Sequence, residues 1–438
     1  MHISKSDPRL LVVYLASFIF FFIGVYKASH YSPDFVPVYT GARCLVKGCN
    51  PYDTTQLQQQ YFQRGGLARQ LLPWRQEIPV YPPSTLVVFA PLTVLNFPAA
   101  RLLWACFNAS LYIFTVLLLL YECPRAYRWL VILIGSLFLL TSYSPLIAAG
   151  QPATFAICLL IIGIICFLHD RYLALAALLF MVSVAAKPQL GGFIVAYFLL
   201  KRIHWRHAAA ALAGALILLL LGVMMLQHHR GSADWLPALR ANLVTIAQPG
   251  AVDDPRPSHK DAIGFANLQA VTSIFSANEK TFNAAAYLIF LALLVAWAWA
   301  AFQTDRRAAV QYVALAGLAV ISLLPVYHRI YDAKLLLLTI PAIPLIYQRH
   351  RIAGAAIAAL TLLETVSEPL QHQVVVLFQH HLSWQPVLNS GIAFAIIMRE
   401  ENIELLLLCV LYIFAVWTMR SAQLVRLPHS LRGAAELQ

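Results

Sequence analysis

Apolar runs of about 20 residues recur from one end of this chain to the other, and a run of that length crosses a bilayer as one helix. They fall near residues 10–28, 99–121, 129–149, 151–168, 172–186, 188–200, 207–227, 282–302, 308–325, 333–348, 352–368 and 402–419, about twelve transmembrane helices in all. The fold class follows as all-α, because a helix satisfies its own backbone hydrogen bonds in hydrocarbon. Of the 438 residues, 60% are hydrophobic and 11% charged, against about 25% charged in soluble proteins. Too little polar surface remains to cover a soluble globule. The chain therefore reads as one polytopic membrane-embedded domain over residues 1–438.

The net charge of +12 is spent on topology. Basic residues gather in the short connections ECPRAYR, HDR, KRIHWRH, TDRR and QRHR and in the tail 420–438, with Arg420, Arg426 and Arg432. Such connections face the cytoplasm. Both termini are then inside a cytoplasmic membrane, and the long loops 29–98, 228–281 and 369–401 lie outside. Nucleic acid is no partner on this reading; membrane lipid is. Lys5 and Arg9 precede the first span, which lacks a small-residue cleavage site and reads as a retained helix.

Within the first outer loop, Asp53 or Thr54 can cap a short helix through DTTQLQQQYF. YPPSTLVVFAPLTVLNFP is broken by Pro82, Pro83, Pro91 and Pro98, too interrupted to cross, and is expected to lie along or dip into the interface. VVVLFQHHLSW and QPVLNSGIAFAIIM in the late loop have the same look. Cys44 and Cys49 share the first outer loop, either as a disulfide or as two free thiols. Cys106, Cys158, Cys166 and Cys409 sit in apolar helices as packing residues, and Cys123 sits at a helix end.

No strand leads into a glycine-rich phosphate loop, so no nucleotide-binding domain is visible. No helix face carries a metal cage: His228 with His229 and His380 with His381 are adjacent loop residues, and VDDPRPSHK, with Asp253 and Asp254, reads as a mobile cover. Neither metal nor other cofactor is expected. The outer face instead collects Asp34, Tyr39, Tyr81, Gln151, Lys187, His328, Arg329, Asp332 and Lys334. Ionisable groups at membrane depth are costly, so several on one face imply a shared polar cavity. Asp34 leads, because a carboxyl where lipid meets water suits a general base. Each has a plainer alternative: Asp34 as a turn residue, Lys187 and Lys334 snorkelling, Asp332 starting a helix, His328 at an interfacial turn.

In PDFVPVYTGARCLVKGCNPYD, YPPSTLVVFAPL, GQPATFAICLL, AAKPQ before LGGFIVAYFLLKR, and SLLPVYHRIYDAKLLLL, the chain resembles glycosyltransferase family 87, within the polyprenyl-phosphate-dependent, membrane-embedded superfamily C. The ordered set covers roughly residues 10–345. The resemblance implies a GT-C type fold with interfacial helices in its outer loops. It also implies transfer of a mannose- or arabinofuranose-like sugar from a polyprenyl-phosphate donor to a hydroxyl of a cell-envelope glycolipid or glycan, as in bacterial members. The family's catalytic Asp falls on Asp34 and its later His motif on His328. Tyr327, His328 and Arg329 stand where relatives often carry His-His after an aromatic residue. Gln151, Tyr39, Tyr81, Arg329, Asp332 and Lys334 are expected to line the substrate site, and Lys187 to touch the donor phosphate. The alternatives are a transporter or lipid flippase, and an envelope polymerase or ligase using a lipid diphosphate.

Overall fold

The computed structural model describes residues 8–67, 78–251, 253–257, 264–326, 328–380 and 399–419. Tyr327, His381, the QPVLNSGIAFAIIM segment up to its final Met398 and the basic tail lie outside the described residues. The helices are, in order, α1 (Leu10–His30), α2 (Phe35–Lys47), α3 (Thr54–Gln63), α4 (Pro83–Phe89), α5 (Phe97–Glu122), α6 (Arg128–Ser142), α7 (Pro152–Leu168), α8 (Leu173–Ala186) and α9 (Pro188–Leu200). There follow α10 (Trp205–His228), α11 (Trp235–Ile246), α12 (Leu268–Thr272), α13 (Glu279–Phe302), α14 (Ala308–Ser322), α15 (Ile330–Ala333), α16 (Ala342–Arg349), α17 (Arg351–His380) and α18 (Glu400–Met419). Among the described residues the one β contact is an isolated antiparallel bridge between Phe265 and Arg329. The molecule is all-helical.

Among the described residues, six helical stretches are long and apolar enough to cross a membrane: Leu10–His30, Phe97–Glu122, Arg125–Ala148, Trp205–His228, Glu279–Phe302 and Glu400–Met419. The other expected spans are shorter or broken. Helices α7, α8, α9 and α14 run to 17 residues or fewer, and α7 and α14 are buried along most of their length. A helix wrapped by other helices need not match the bilayer by itself. The run expected at 333–348 is broken into α15, a 3-10 turn over Lys334–Thr339, and α16. The run expected to end at 368 continues as α17 to His380, so residues 369–380 are helix rather than loop.

The long connections gather at one end of the bundle, called here the loop face. Their apolar side chains make a second core beside the main one, joining Phe35, Tyr39 and Leu45 of α2 to Leu57 and Tyr61 of α3, Leu86 and Phe89 of α4, and Trp104 of α5. Asp53 caps α3, accepting from Thr55 N at 2.8 Å and Gln56 N at 3.2 Å, which satisfies amides the first turn leaves open. The proline-broken segment folds as α4 and a 3-10 turn over Ala90–Val94. It tucks inward: Thr85 Oγ1 donates to the Ala186 carbonyl at 2.8 Å. Cys44 and Cys49 are joined by a disulfide at the C-terminal end of α2.

At the opposite end Lys201 reaches from α9 to the end of α13, donating to the carbonyls of Ala301, Phe302 and Thr304 at 2.9, 3.0 and 2.8 Å. A cation there meets the carbonyls a helix C-terminus leaves unpaired.

Candidate active site

The two polar groups that matter most are both built at helix starts on the loop face. Pro145 interrupts the end of α6, where the backbone widens into a π-helical turn over Tyr143–Ala148; proline has no amide hydrogen to continue the α pattern. Gly150 then adopts φ +79° and reverses the chain into α7, which has Pro152 at its first position. This turn receives the end of α1. Ser32 Oγ donates to the Ala148 carbonyl at 3.1 Å, and the Asp34 amide donates to the Ala149 carbonyl at 3.0 Å.

Asp34 thus precedes α2 with its backbone fixed and its side chain half-buried. Its carboxylate makes no cap hydrogen bond to its own helix. Gln151 Nε2 donates to Oδ2 instead. A carboxylate steered from the side, partly desolvated and partly open, is a competent proton acceptor.

The second group forms where α8 gives way to α9. Lys187, 7% exposed, precedes the Pro188 start of α9, and its ammonium donates to Asp332 Oδ1 at 2.6 Å while sitting 4.8 Å from the Tyr331 ring centroid. Asp332 Oδ2 pairs with His328 Nδ1 at 3.1 Å. Burial works against the Asp332 charge, but Lys187 and then His328 outweigh it and hold this carboxyl below the usual carboxylate range. A carboxylate can only accept, so Nδ1 of His328 carries the proton, and Nε2 is the face offered to a ligand.

That Nε2 is buried and has no hydrogen-bond partner, and the same is true of Gln151 Oε1. Helix α15, which carries Asp332, packs on α7, which Gln151 precedes. Helix α15 also packs on the π-helical turn that leads to Gln151.

The peptide backbone of His328 is held by the second long loop. Ala266 N donates to the His328 carbonyl at 2.9 Å and Leu268 N to the Leu324 carbonyl at 3.0 Å, while Asn402 Oδ1 of α18 accepts from Asn267 N at 2.7 Å. Arg329 lies 5.6 Å from the Phe265 ring centroid. Of the VDDPRPSHK segment the structure describes residues 253–257, which hold Asp254 in place. That carboxyl is buried and pairs with Arg256 at 2.6 Å; although burial opposes its charge, the Arg256 side chain and the Gly250 and Arg256 amides hold it below the ordinary range.

Three other candidates are not part of these pairings. Tyr39 is fully buried in the second core, its hydroxyl donating to the Leu95 carbonyl at 2.6 Å. Tyr81 packs against the same core, and its carbonyl accepts from Tyr52 at 2.8 Å. Lys334 is buried beneath the second group, 5.6 Å from the Phe138 ring centroid. Among the described residues no group of three or more His, Cys, Asp or Glu is arranged to hold a metal.

An apolar cavity of about 300 Å³ lies between α4, α5 and α7, lined by Val88, Phe89, Leu92, Leu103, Trp104 and Phe155 among others. Trp104 connects this cavity to the start of α2, where Phe35 follows Asp34. Its ring stacks on Phe35 with centroids 5.9 Å apart, and its Nε1 donates to the Gly150 carbonyl at 3.0 Å. Sequence reasoning missed this tryptophan, since aromatic residues at membrane interfaces are common and only its partners distinguish it.

A family model for glycosyltransferase family 87 matches residues 80–326, more than half of the chain. The chain belongs to glycosyltransferase family 87. As a family 87 glycosyltransferase it transfers sugar from a donor to an acceptor and does so as a multi-helix membrane protein. The matched stretch includes the cavity wall at Trp104, Gln151 and Lys187, and stops short of Asp34 on one side and His328 on the other. No curated protein and no solved structure matches this family 87 chain.

Proposed function

We propose that this glycosyltransferase moves a mannose- or arabinofuranose-like sugar from a polyprenyl phosphate to a hydroxyl of a cell-envelope glycolipid or glycan, at the extracytoplasmic face of the cytoplasmic membrane. The observation that carries the reading is the shared wall of Trp104: one side lines an apolar cavity, and the same ring packs on the residue after Asp34. A prenyl chain in that cavity brings the donor's head into the polar site, with the sugar toward Asp34 and the phosphate toward His328 and Arg329. The rim residues Leu103 and Phe107 are about half exposed, so the chain enters sideways from lipid. The Cys44–Cys49 disulfide agrees with an oxidising compartment on the loop face.

In the reaction Asp34 takes the acceptor hydroxyl proton as that oxygen attacks the anomeric carbon. The bond from that carbon to the phosphate oxygen breaks, and the polyprenyl phosphate departs with the electron pair. One displacement inverts the anomeric centre. Lys187 is already committed to Asp332, so its part is to hold Asp332 and, through it, His328. His328 Nε2 and Arg329 receive the leaving phosphate, His328 donating when it is doubly protonated. Gln151 keeps Asp34 aimed. Neither metal nor other cofactor enters this scheme.

Asp34→Asn tests the base. Single-turnover transfer from a polyprenyl-phosphate sugar by purified protein should fall by about 10² to 10⁴, with the melting temperature unchanged. An undiminished rate in folded Asp34→Asn removes Asp34 from the chemistry. Transfer from a polyprenyl diphosphate but not from the monophosphate would favour the polymerase or ligase reading.

A further inference from the structure

Lys334 and a set of carboxylates on α17 and α18 take no part in the chemistry above, yet they are buried ionisable groups. Glu364, Glu401 and Glu404 are 2%, 2% and 5% exposed. Glu364 lies 13 residues into α17, about 20 Å along it, while Glu401 and Glu404 belong to the start of α18. The charged groups acting on Glu364 are Glu401 and Glu404 from α18 and Lys334 from the 3-10 turn below Asp332. Glu404 is also faced by Glu400, and Glu401 by Arg399. Lys334 and Arg399 offset two of the three buried carboxylates and leave an excess of negative charge.

Hydrogen bonding sharpens the point. The Glu364 and Glu404 carboxyls lie within hydrogen-bonding reach of each other, but neither Glu364 oxygen and not Oε2 of Glu404 has a donor. Two ionised carboxylates are acceptors only and repel at contact. Thr361, one turn before Glu364 on the same side of α17, is fully buried with its hydroxyl also lacking a partner. Ser367 Oγ is directed to Glu401 Oε1 at 3.4 Å instead. An uncompensated buried charge at membrane depth is not tolerated without a counter-charge.

We infer that Glu364, Glu404 and Thr361 form a binding site for one small positive charge, a proton or a sodium ion, that bridges the two carboxyl groups and ties α17 to α18. The oxygen-only donor set suits either occupant: a proton shared between carboxyls, or a hard cation held by carboxylate and hydroxyl oxygens. The site lies outside the matched family segment 80–326 and one element away from the Lys187, Asp332 and His328 group.

The test is thermal melting of the full-length purified protein in detergent, wild type against Glu364→Gln, in two arms. In the first, pH is raised from 6 to 9 without sodium. A folded state that keeps a proton the unfolded chain releases loses stability as pH rises, so wild type should fall by about 3 °C per two pH units beyond the change in Glu364→Gln. In the second, sodium chloride replaces choline chloride at pH 9, and a sodium site raises the wild-type melting temperature while Glu364→Gln stays flat. A difference in the first arm assigns the proton, and one in the second assigns sodium. Identical responses of the two proteins in both arms overturn the site. If Glu364→Gln does not fold, Glu404→Gln takes its place, and a wild type flat in both arms overturns the site by itself.

Discussion

At the residue scale, the pair Lys187–Asp332 shows how costly the polar centre of this protein is and how it is tolerated. Both groups are nearly inaccessible, and the contact is 2.6 Å. Removing one partner leaves a buried unpaired charge, which costs about 3–5 kcal/mol. Asp332→Asn should therefore lower stability by that order in chemical denaturation, whereas Lys187→Met with Asp332→Leu should recover most of it. The double variant should still be inactive, because His328 loses the carboxylate that orients it. The acid side has a definite sign. Since the folded Asp332 carboxyl is held below the ordinary range, its contribution is present above the unfolded value of about 3.9 and is lost as pH falls through the folded one. Asp332→Asn should flatten the acid limb of the stability profile.

At the element scale, the turn between α6 and α7 and the far end of α2 set where Asp34 stands. Gly150 needs its φ of +79°, and a Cβ there would lie 2.7 Å from Phe35 Cβ. Gly150→Ala should cost about 1–2 kcal/mol in backbone conformation alone, and the displaced Phe35 moves Asp34 with it. The expected signature is a lower kcat than the stability loss explains, measured on folded protein below its melting transition. At the other end of α2, the disulfide closes a loop of a few residues. Cys44→Ser with Cys49→Ser should lower stability by about 2 kcal/mol, the value chain entropy assigns to so short a loop. The same shift should appear on reducing the wild type and be absent on reducing the double variant.

At the scale of the whole molecule, the helices divide the labour. Long α1, α10 and α13 show much of their surface to lipid, with windows 28%, 22% and 22% buried, and short α7 and α9 bring polar starts to the centre. On the proposed function, the cavity wedged between α4, α5 and α7 is where the donor's lipid tail would meet that centre. Leu92→Trp should fill it and raise KM for a long-chain polyprenyl-phosphate sugar by about tenfold, the equivalent of roughly two methylenes no longer buried. KM for a donor with a very short prenyl chain should stay unchanged, and equal changes for both donors would place the tail elsewhere.

The sequence by itself determined the all-helical membrane class and most of the helix order. Apolar run length and basic connections are local properties, and a helix satisfies its backbone locally whatever surrounds it. The sequence also singled out Asp34 and His328 as candidates, through position at span ends and family pattern. Tertiary structure alone decided that Gln151 holds Asp34, that Lys187 is spent on Asp332, and that Tyr39 is a core residue. Those pairings join residues more than a hundred positions apart, or, for Tyr39, depend on which side of a short helix finds a hydrophobic partner. Electrostatic and apolar contacts of that kind are set by packing in space, and spacing along the chain carries no record of them.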